Sequence, residues 1–520
     1  MSKKHVVVIG SGFAGLSAAT HLADKGNCTV TLVEKNNSPG GRARKFEHQG
    51  FVFDMGPSWY WMPDVFESYF ANFGKKPSDY YDLIRLDPSY AVIYGEQDTL
   101  DIPADLNEFR AMLEGIEPGA AANLDKFLAQ AKYKYEVGIH DLVHRPSRSL
   151  FEFASPRLLL DMIRMDIFQS MSKHVRSYFS HDKIVRLMEF PVLFLGETAN
   201  NIPALYSLMN YADIALGTWY PKKGMHEIIK GMVALAEEKG VQFKYNAEVE
   251  KIEVVNGKAQ SLVLRSGETI QADIIVAGAD YHHVDKHLLD PAYSNYTEDY
   301  WDKRVMAPSS LLFYLGVNKR LKNLRHHNLF FDEPLGPHAD AIYTNPRWPE
   351  KPLFYASVPS ITDPTVAPEG MENVFILIPI ATGIEDNESI REKYFQKVIK
   401  RLEKYTEDKI AEHIIYKKSY CVSNFINDYN AFGGNAYGLA NTLKQTAVLK
   451  PSLRNKKVKK IGVQLKRSEE KFRKLFELSP VGMAMVEHKT GKFREVNDAL
   501  LDFLGYSKEE FMKMSFWLPS

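Results

Sequence analysis

HVVVIGSGFAGLSAATHLADKGNCTVTLVEKN, residues 5–36, decides the fold. Val6-Val7-Val8-Ile9 is an unbroken apolar run of strand length, as expected of a parallel strand covered on both faces. Gly10-Ser11-Gly12-Phe13-Ala14-Gly15 follows at once, and Leu16, Ala19 and Leu22 then fall on one face of a helix. Thr29 to Val33 reads as a second strand, ending on Glu34. Gly10 permits a tight turn, Gly12 lets the backbone approach a pyrophosphate, and Gly15 allows close helix–strand packing. The helix N-terminus presents free amides and a positive dipole to phosphates. Glu34 stands 24 residues after Gly10, where a carboxylate accepts from ribose hydroxyls. A glycine turn alone would be weak evidence. Strand, helix, second strand and acidic terminus in order point to a dinucleotide site.

Composition sets the frame around this unit. A chain of 520 residues exceeds one ordinary core, so about two or three domains are expected. With 45% hydrophobic and 25% charged residues it has the make-up of a folded globular protein. A formal net charge of zero argues against a general nucleic-acid binder. Cys28 and Cys421 are the only cysteines, which favours a reduced cytoplasmic chain over a disulfide between them. MSKKHVVVIG carries two lysines before a short apolar run, but a glycine turn arrives where a signal peptide needs more apolar length. The longest apolar run, VFILIPIA, is strand-sized, so a soluble or membrane-peripheral protein is expected rather than a spanning one.

The residues after Glu34, KNNSPGGRARKFEHQGFVFDMGPSWY, bear on which dinucleotide is bound. Gly40-Gly41-Arg42 is not needed for NAD. It resembles the second glycine motif of the flavoprotein amine oxidase and carotenoid desaturase superfamily, whose loop wraps the FAD pyrophosphate. On that resemblance Glu34 and Lys35 belong to the cofactor site and Arg42 adds a charge-assisted contact; the alternative for Arg42 is an exposed loop charge. Phe51 to Asp54 reads as a strand, and the loop Met55-Gly56-Pro57-Ser58 would face the flavin.

Residues 106 to 220 are mainly helical in pattern, as in NLDKFLAQAKYKYEVGIHDL and RLLLDMIRMDIFQSMSKHVRSYF. A helical core explains most of this stretch; Pro156 to Phe179 could instead shape an apolar tunnel or rest on a bilayer surface. The segment from Tyr220 to Asp280 reads as helix, strand, hairpin and strand, and in the same superfamily such a segment completes the FAD domain. Val249 would then meet the adenine through its backbone, and Ala277-Gly278-Ala279 would lie close to the nucleotide. The family places a second glycine before Gly224, where this chain has Lys223. Residues 286–445 alternate short strands (SLLFYLGV, LFYASV, NVFILIPIA) with a long helix, SIREKYFQKVIKRLEKY, the second, substrate-covering layer that the same resemblance leads one to expect.

His282-His283 and His326-His327 are adjacent pairs whose side chains diverge, and neither HExxH nor Cys/His ligand spacing occurs, so no metal site is expected. No GxSxG nucleophile elbow is present. SNFINDYNAFGGNAYGLANTL reads as an aromatic, glycine-rich turn leading into a helix, either a plain turn and cap or a wall beside the isoalloxazine.

With FDMGPSWYWMPDVFESYF, RVMAPSSLLFYLGVN and GNAYGLANTLKQTAVLKPSL added, residues 1 to about 460 resemble the FAD-dependent bacterial phytoene desaturases of the carotenoid desaturase family. The resemblance implies an α/β fold with a Rossmann-type FAD-binding domain over 1–105 and 222–285, and an inserted helical and mixed substrate domain over 106–221 and 286–457. It implies stepwise removal of hydride and proton from phytoene toward more conjugated carotenes such as lycopene, with no catalytic residue nameable. It also implies a hydrophobic polyene substrate, no nucleic acid, peripheral association with the cytoplasmic face of the inner membrane, and a homo-oligomer as a further partner. Three readings stay beside it: a desaturase of another acyclic or hydroxylated carotenoid, a flavin oxidoreductase for a soluble substrate, and a flavin-binding sensor without desaturase activity.

Residues 458–467 form a lysine-rich linker. In 468–520 the helix SEEKFRKLFELSP, the strands GMAMVE and FREVN and the helix NDALLDFLGYSKEEF resemble the front of a PAS domain, a short α+β tail about half as long as that family's pattern. Asn497 would cap the last helix and Leu500, Leu501 and Leu504 would bury on one face. The desaturases instead continue after such a linker with TGxxxxPGxGxP and a final helix that closes the site over the flavin, and no such run follows Lys460. A chimeric or truncated reading frame is therefore expected, and beside it a real sensor–enzyme fusion; either would bind FAD weakly and desaturate poorly.

Overall fold

The computed structural model describes residues 3–140, 142–144, 165–166, 169–442, 445, 449–452, 454–458, 484–486, 493–496, 501 and 507–511. They fall into two units, Met1–Val255 with Ala259–Lys457, and Asn256–Lys258 with Val458–Ser520.

In the first unit, β1 (Lys4–Ile9), α1 (Phe13–Asp24) and β2 (Cys28–Val33) form the expected βαβ motif, with β1 and β2 parallel from Lys4↔Cys28 to Ile9↔Val33. The strand Ile274–Ala277 pairs parallel on the other side of β1, and Val241–Lys244 pairs parallel with β2. Alternation along a strand sends successive side chains to opposite faces. Val6 and Val8 pack with Leu16 and Ala19 of α1 and with Ile228, Ile229 and Leu235 of the helix His226–Glu238. Val7 and Ile9 pack with Val249, Leu262 and Leu264 of the three-stranded sheet Val249–Val255, Lys258–Leu264 and Thr269–Gln271. Both faces of β1 are buried, which is why its sequence shows no alternation.

A second sheet of seven strands runs in the order Ile414–Tyr420, Ser309–Val317, Glu372–Ile380, Phe354–Ser357, His327–Phe330, Tyr90–Gly95, Asp98–Ile102. Its pairings are antiparallel except for the parallel pair Asn328↔Ala91 to Phe330↔Ile93. Residues 90–102, which the sequence groups with the nucleotide-binding half, thus pair into the substrate-side sheet. One face carries the helix Glu388–Thr406, where Phe395, Val398, Ile399 and Leu402 pack on Leu311, Phe313 and Leu315. Helices Leu106–Ile116, Ala120–His140, Met171–Arg176 and Asp182–Glu189 pack around the other face, as the helical pattern predicts. Of the stretch Pro156 to Phe179, the greater part before Gln169 lies outside the described residues; Met171, Val175 and Phe179 are core residues.

In the second unit, Ala484–Val486 and Phe493–Val496 pair antiparallel, at the positions of the two strands read in the tail. The helices expected over 468–480 and from Asn497 lie outside the described residues, apart from Leu501 and the turn Lys508–Phe511.

Candidate active site

One cavity of about 670 Å³ lies at the C-terminal ends of β1 and β2 and runs under the seven-stranded sheet. All the residues singled out for cofactor binding line it except Gly15 and Ala277. Those two stand behind the wall. A Cβ on Gly15 would lie 1.8 Å from the Gly10 carbonyl oxygen, and one on Gly278 would lie 3.1 Å from Gly15 Cα, so α1 meets both strands at backbone distance. Ala277 ends its strand opposite Ile9, and the next residue, Gly278, donates its N–H to the Ile9 carbonyl at 2.8 Å.

The polar end of the cavity is built from backbone. Gly10 (φ 89°) and Gly40 (φ 116°) take left-handed conformations that side chains resist, and the Gly40 N–H donates to the Ser11 carbonyl at 2.9 Å. The two glycine loops therefore touch, and Gly41 sits with its Cβ direction 3.3 Å from Gly12 Cα. Gly12 has open space where a side chain would be. Glu34 is buried and accepts at Oε2 from Ser11 N (2.9 Å) and Ser11 Oγ (2.6 Å), and at Oε1 from Asn36 N (2.9 Å) and Asn36 Nδ2 (3.0 Å). Lys35 Nζ donates to the Asn427 carbonyl at 2.5 Å and lies 3.5 Å from Glu248, an ion pair at the cavity rim. Val249 follows at the start of its strand.

Arg42 is not an exposed loop charge. Its Nη2 donates to Asn435 (3.3 Å to the carbonyl, 3.2 Å to Oδ1), its guanidinium stands 5.7 Å over the Tyr429 ring, and its Nε is buried with no acceptor among the described residues. Burial lowers its pKa while Asp280 opposes the shift. A half-buried, incompletely paired guanidinium beside two glycine loops and a helix N-terminus suits the diphosphate of a dinucleotide. The residues present fit such a group.

The other end is neutral and aromatic. Trp59 lies flat on His327, with centroids 4.1 Å apart and an interplanar angle of 13°. Trp61, Phe190, Phe331, Tyr343, Tyr355 and Tyr437 complete this arm. Its roof is one face of the seven-stranded sheet, where Ser310, Leu312, Leu329, Tyr355, Leu377 and Pro379 all line the cavity. His338 lies in the wall, but its Nε2 donates to the Pro379 carbonyl (2.8 Å) and its Nδ1 accepts the Leu353 N–H (2.9 Å). Both ring nitrogens are committed, and burial brings its pKa down to about 4. Burial likewise raises Tyr343 and Tyr355, so these phenols stay protonated. The arm holds no charge at neutral pH among the described residues, a lining for an apolar ligand.

The glycine-rich stretch after Ser423 differs from expectation in order. The helix Val422–Tyr429 comes first, Asn430 (φ 52°) ends it, and the turn Phe432–Gly434 follows. Phe425, Asp428, Tyr429, Asn430 and Tyr437 from this stretch do line the cavity. Sequence reasoning missed Trp59 and Trp61, although the run WYWM directly after the glycine–proline loop is a local signal. It also missed Tyr343, Tyr355 and Asp280, which distant elements bring in. Lys223, in place of the family's glycine, adopts φ 76° and donates its N–H to Asp363 Oδ2 at 2.6 Å. Among the described residues no group of acidic, histidine or cysteine side chains could hold a metal ion, and no helix is long and apolar enough to cross a membrane.

Residues 13–517 match the family of flavin containing amine oxidoreductases. The chain belongs to that family. It is 40% identical over 461 residues to a carotenoid 3,4-desaturase of Haloarcula japonica, covering 88% of this chain and 92% of that protein. It is 31% identical to a zeta-carotene-forming phytoene desaturase of Myxococcus xanthus, covering 88% of each. An oxidoreductase from Methanosarcina mazei shares the fold at a TM-score of 0.53 with 18% identity, covering 80% of this chain and 88% of that one. The cofactor of the glycine cradle is thus FAD, and the chain is a flavin-dependent oxidoreductase with carotenoid desaturase homologues.

Proposed function

We propose that this chain introduces double bonds into phytoene, forming more conjugated carotenes such as lycopene. The observation that carries this reading is the continuity of one cavity from the glycine cradle to an uncharged aromatic arm. When bound, the flavin supplies the hydride acceptor that no side chain offers. The protein's share is to hold the pyrophosphate on Gly10, Gly12, Gly41 and Arg42, to lay the polyene along Trp59, Phe331 and Leu312, and to exclude water. The test is turnover by the purified protein, given FAD and an electron acceptor, of phytoene carried in vesicles. Red-shifted carotene products are expected, and an unchanged phytoene peak beside oxidation of a soluble amine would overturn the reading.

A second reading is favoured by the 40% identity to the Haloarcula protein, namely desaturation at the 3,4 position of an acyclic or hydroxylated carotenoid. Offering lycopene and its hydroxylated derivatives in the same vesicles separates the two. The neutral arm suits a lipid-dissolved substrate, so docking on the cytoplasmic membrane surface, as a homo-oligomer, belongs to the proposal. Sedimentation with vesicles and light scattering are its checks. The tail is read as the start of a PAS-like module, supported by its helix–strand–strand pattern and the pair Ala484–Val486 with Phe493–Val496. If the chain is instead a sensor without desaturase activity, no carotene product forms with any of these substrates.

A further inference from the structure

Behind the loop that carries Ser58 the fold encloses a second, small chamber of about 20 Å³. One water needs roughly 10–15 Å³ measured in this way. Three side-chain atoms without a hydrogen-bond partner among the described residues belong to residues lining this space: Tyr220 Oη, His326 Nε2 and Ser357 Oγ. Tyr220 is 1%, His326 4% and Ser357 1% exposed, so bulk water does not serve them. Each buried polar atom left unpaired costs about 1–3 kcal/mol, and native folds leave few of them. Three around one chamber are explained together by one shared partner. His326 cannot turn to relieve itself, because its Nδ1 is fixed by Thr362 Oγ1 at 2.8 Å and Tyr220 stands edge-on to its ring at 4.6 Å.

The chamber is also connected. Ser58 lines both it and the large cavity. Tyr355, in the roof of the large cavity, stands near Ser58 and Ser357 without a hydrogen bond to Ser357 Oγ, and has its phenol oxygen 2.6 Å from His327 Nδ1. Asp54 forms a further part of the chamber wall, where its carboxylate accepts the N–H groups of Met225 (2.7 Å) and His226 (2.9 Å).

We propose that this chamber binds one water through Tyr220 Oη, His326 Nε2 and Ser357 Oγ, and that Ser58 makes it the outlet for the proton released in the large cavity. The second half rests on the desaturase reading. Each desaturation breaks two C–H bonds. One hydrogen leaves with its electron pair as hydride to the flavin, and the other leaves as a proton, its bond pair becoming the new C=C. In a neutral apolar arm that proton has no acceptor of its own. Ser58 Oγ takes it while giving its own proton to the chamber water, and the water, exchanging its bond to Ser357 Oγ for one to the Asp54 carboxylate, in turn gives a proton to Asp54. Each oxygen gains one proton and loses one, and Asp54 ends as the carboxylic acid. Burial supports this role by raising the Asp54 pKa to about 6.

A crystal structure of the FAD-loaded protein tests the water directly. A density peak within hydrogen-bond distance of all three atoms is expected, and a chamber without one overturns the site. In the loaded enzyme, Ser58→Ala should lower kcat several-fold and change the solvent deuterium isotope effect, with KM and flavin content kept. Unaltered kcat and isotope effect would overturn the outlet. A bound water in a protein that turns over no carotenoid upholds the water site, and overturns both the desaturase reading and the outlet.

Discussion

A methyl group on Gly15 would stand 1.8 Å from the Gly10 carbonyl oxygen, and neither atom can move without parting α1 from β1. Gly15→Ala should therefore cost about 3 kcal/mol or more, above the usual range for overpacking because backbone has to yield. It should also abolish flavin retention, although Gly15 lines no part of the cavity. Thermal melts and flavin absorbance after gel filtration check both effects. Lys223 is the converse case. At φ 76° it occupies a conformation that costs a non-glycine residue about 1–2 kcal/mol, and glycine would give back roughly 0.5–1 kcal/mol of that through unfolded-chain entropy. Lys223→Gly should then stabilise the protein by about 0.5–1 kcal/mol, read as a raised melting temperature, and an unchanged or lowered melt would contradict it. Such residues are legible in a sequence because the constraint is local: a glycine turn between a strand and a helix shows what the backbone must do. Arg42 was legible only as far as its loop. That its guanidinium packs against Tyr429 and Asn435 depends on chain nearly 400 residues away.

At the scale of elements, the roof of the cavity shows why half the site was hidden. SLLFYLGV is apolar throughout because the strand Ser309–Val317 is covered on both faces, every residue of it buried. Period 2 is present in space but silent in the sequence. Leu312 faces the cavity, whereas its neighbour Phe313 points into the core beneath the helix Glu388–Thr406, 5.3 Å from the Phe395 ring. The two should respond in opposite ways. Leu312→Trp fills the arm and should raise KM for a polyene about tenfold, equivalent to about 1.4 kcal/mol, while stability and flavin content hold. Phe313→Ala leaves the arm's lining in place but opens the core, costing about 3–5 kcal/mol. Steady-state kinetics beside urea melts of both variants would show whether this face assignment is right. If Leu312→Trp binds polyene normally, the roof is not where substrate lies. The reversed order of helix and turn after Ser423 has a similar origin. FINDY is short and polar enough to read as loop, and it becomes helical because Phe425 and Val422 bury against the sheet.

For the whole first unit, buried titratable groups make stability depend on pH. Burial holds the pKa of His174 and His338 at about 4 and that of His326 at about 3. All three are neutral in the folded protein above pH 4, but in an unfolded chain they protonate near 6.5. The unfolded state thus binds up to three more protons between pH 6 and 4, and the stability these groups contribute is lost as pH falls through that window. Two carboxyls act the other way. Burial raises Asp54 and Asp213 to about 6, so the folded state binds up to two more protons than unfolded aspartates over the same range. His283, which burial also brings to about 4, and His327, which burial pushes far down, add to the histidine side, so histidine loss outweighs aspartate gain by more than one proton. Each proton of difference is worth roughly 1.4 kcal/mol per pH unit, a large fraction of the 5–15 kcal/mol typical of a folded protein. Melting temperatures taken from pH 7 downward should hold to about pH 6.5 and then fall steadily toward pH 4. Replacing the fully committed His338 by a non-titrating residue should lower stability at pH 7 by removing its two backbone bonds. The same change should flatten the slope by up to one proton, because the variant no longer has that ring to protonate on unfolding. A variant whose melt falls with pH as steeply as the parent would show that His338 is not among the groups that set the acid limit.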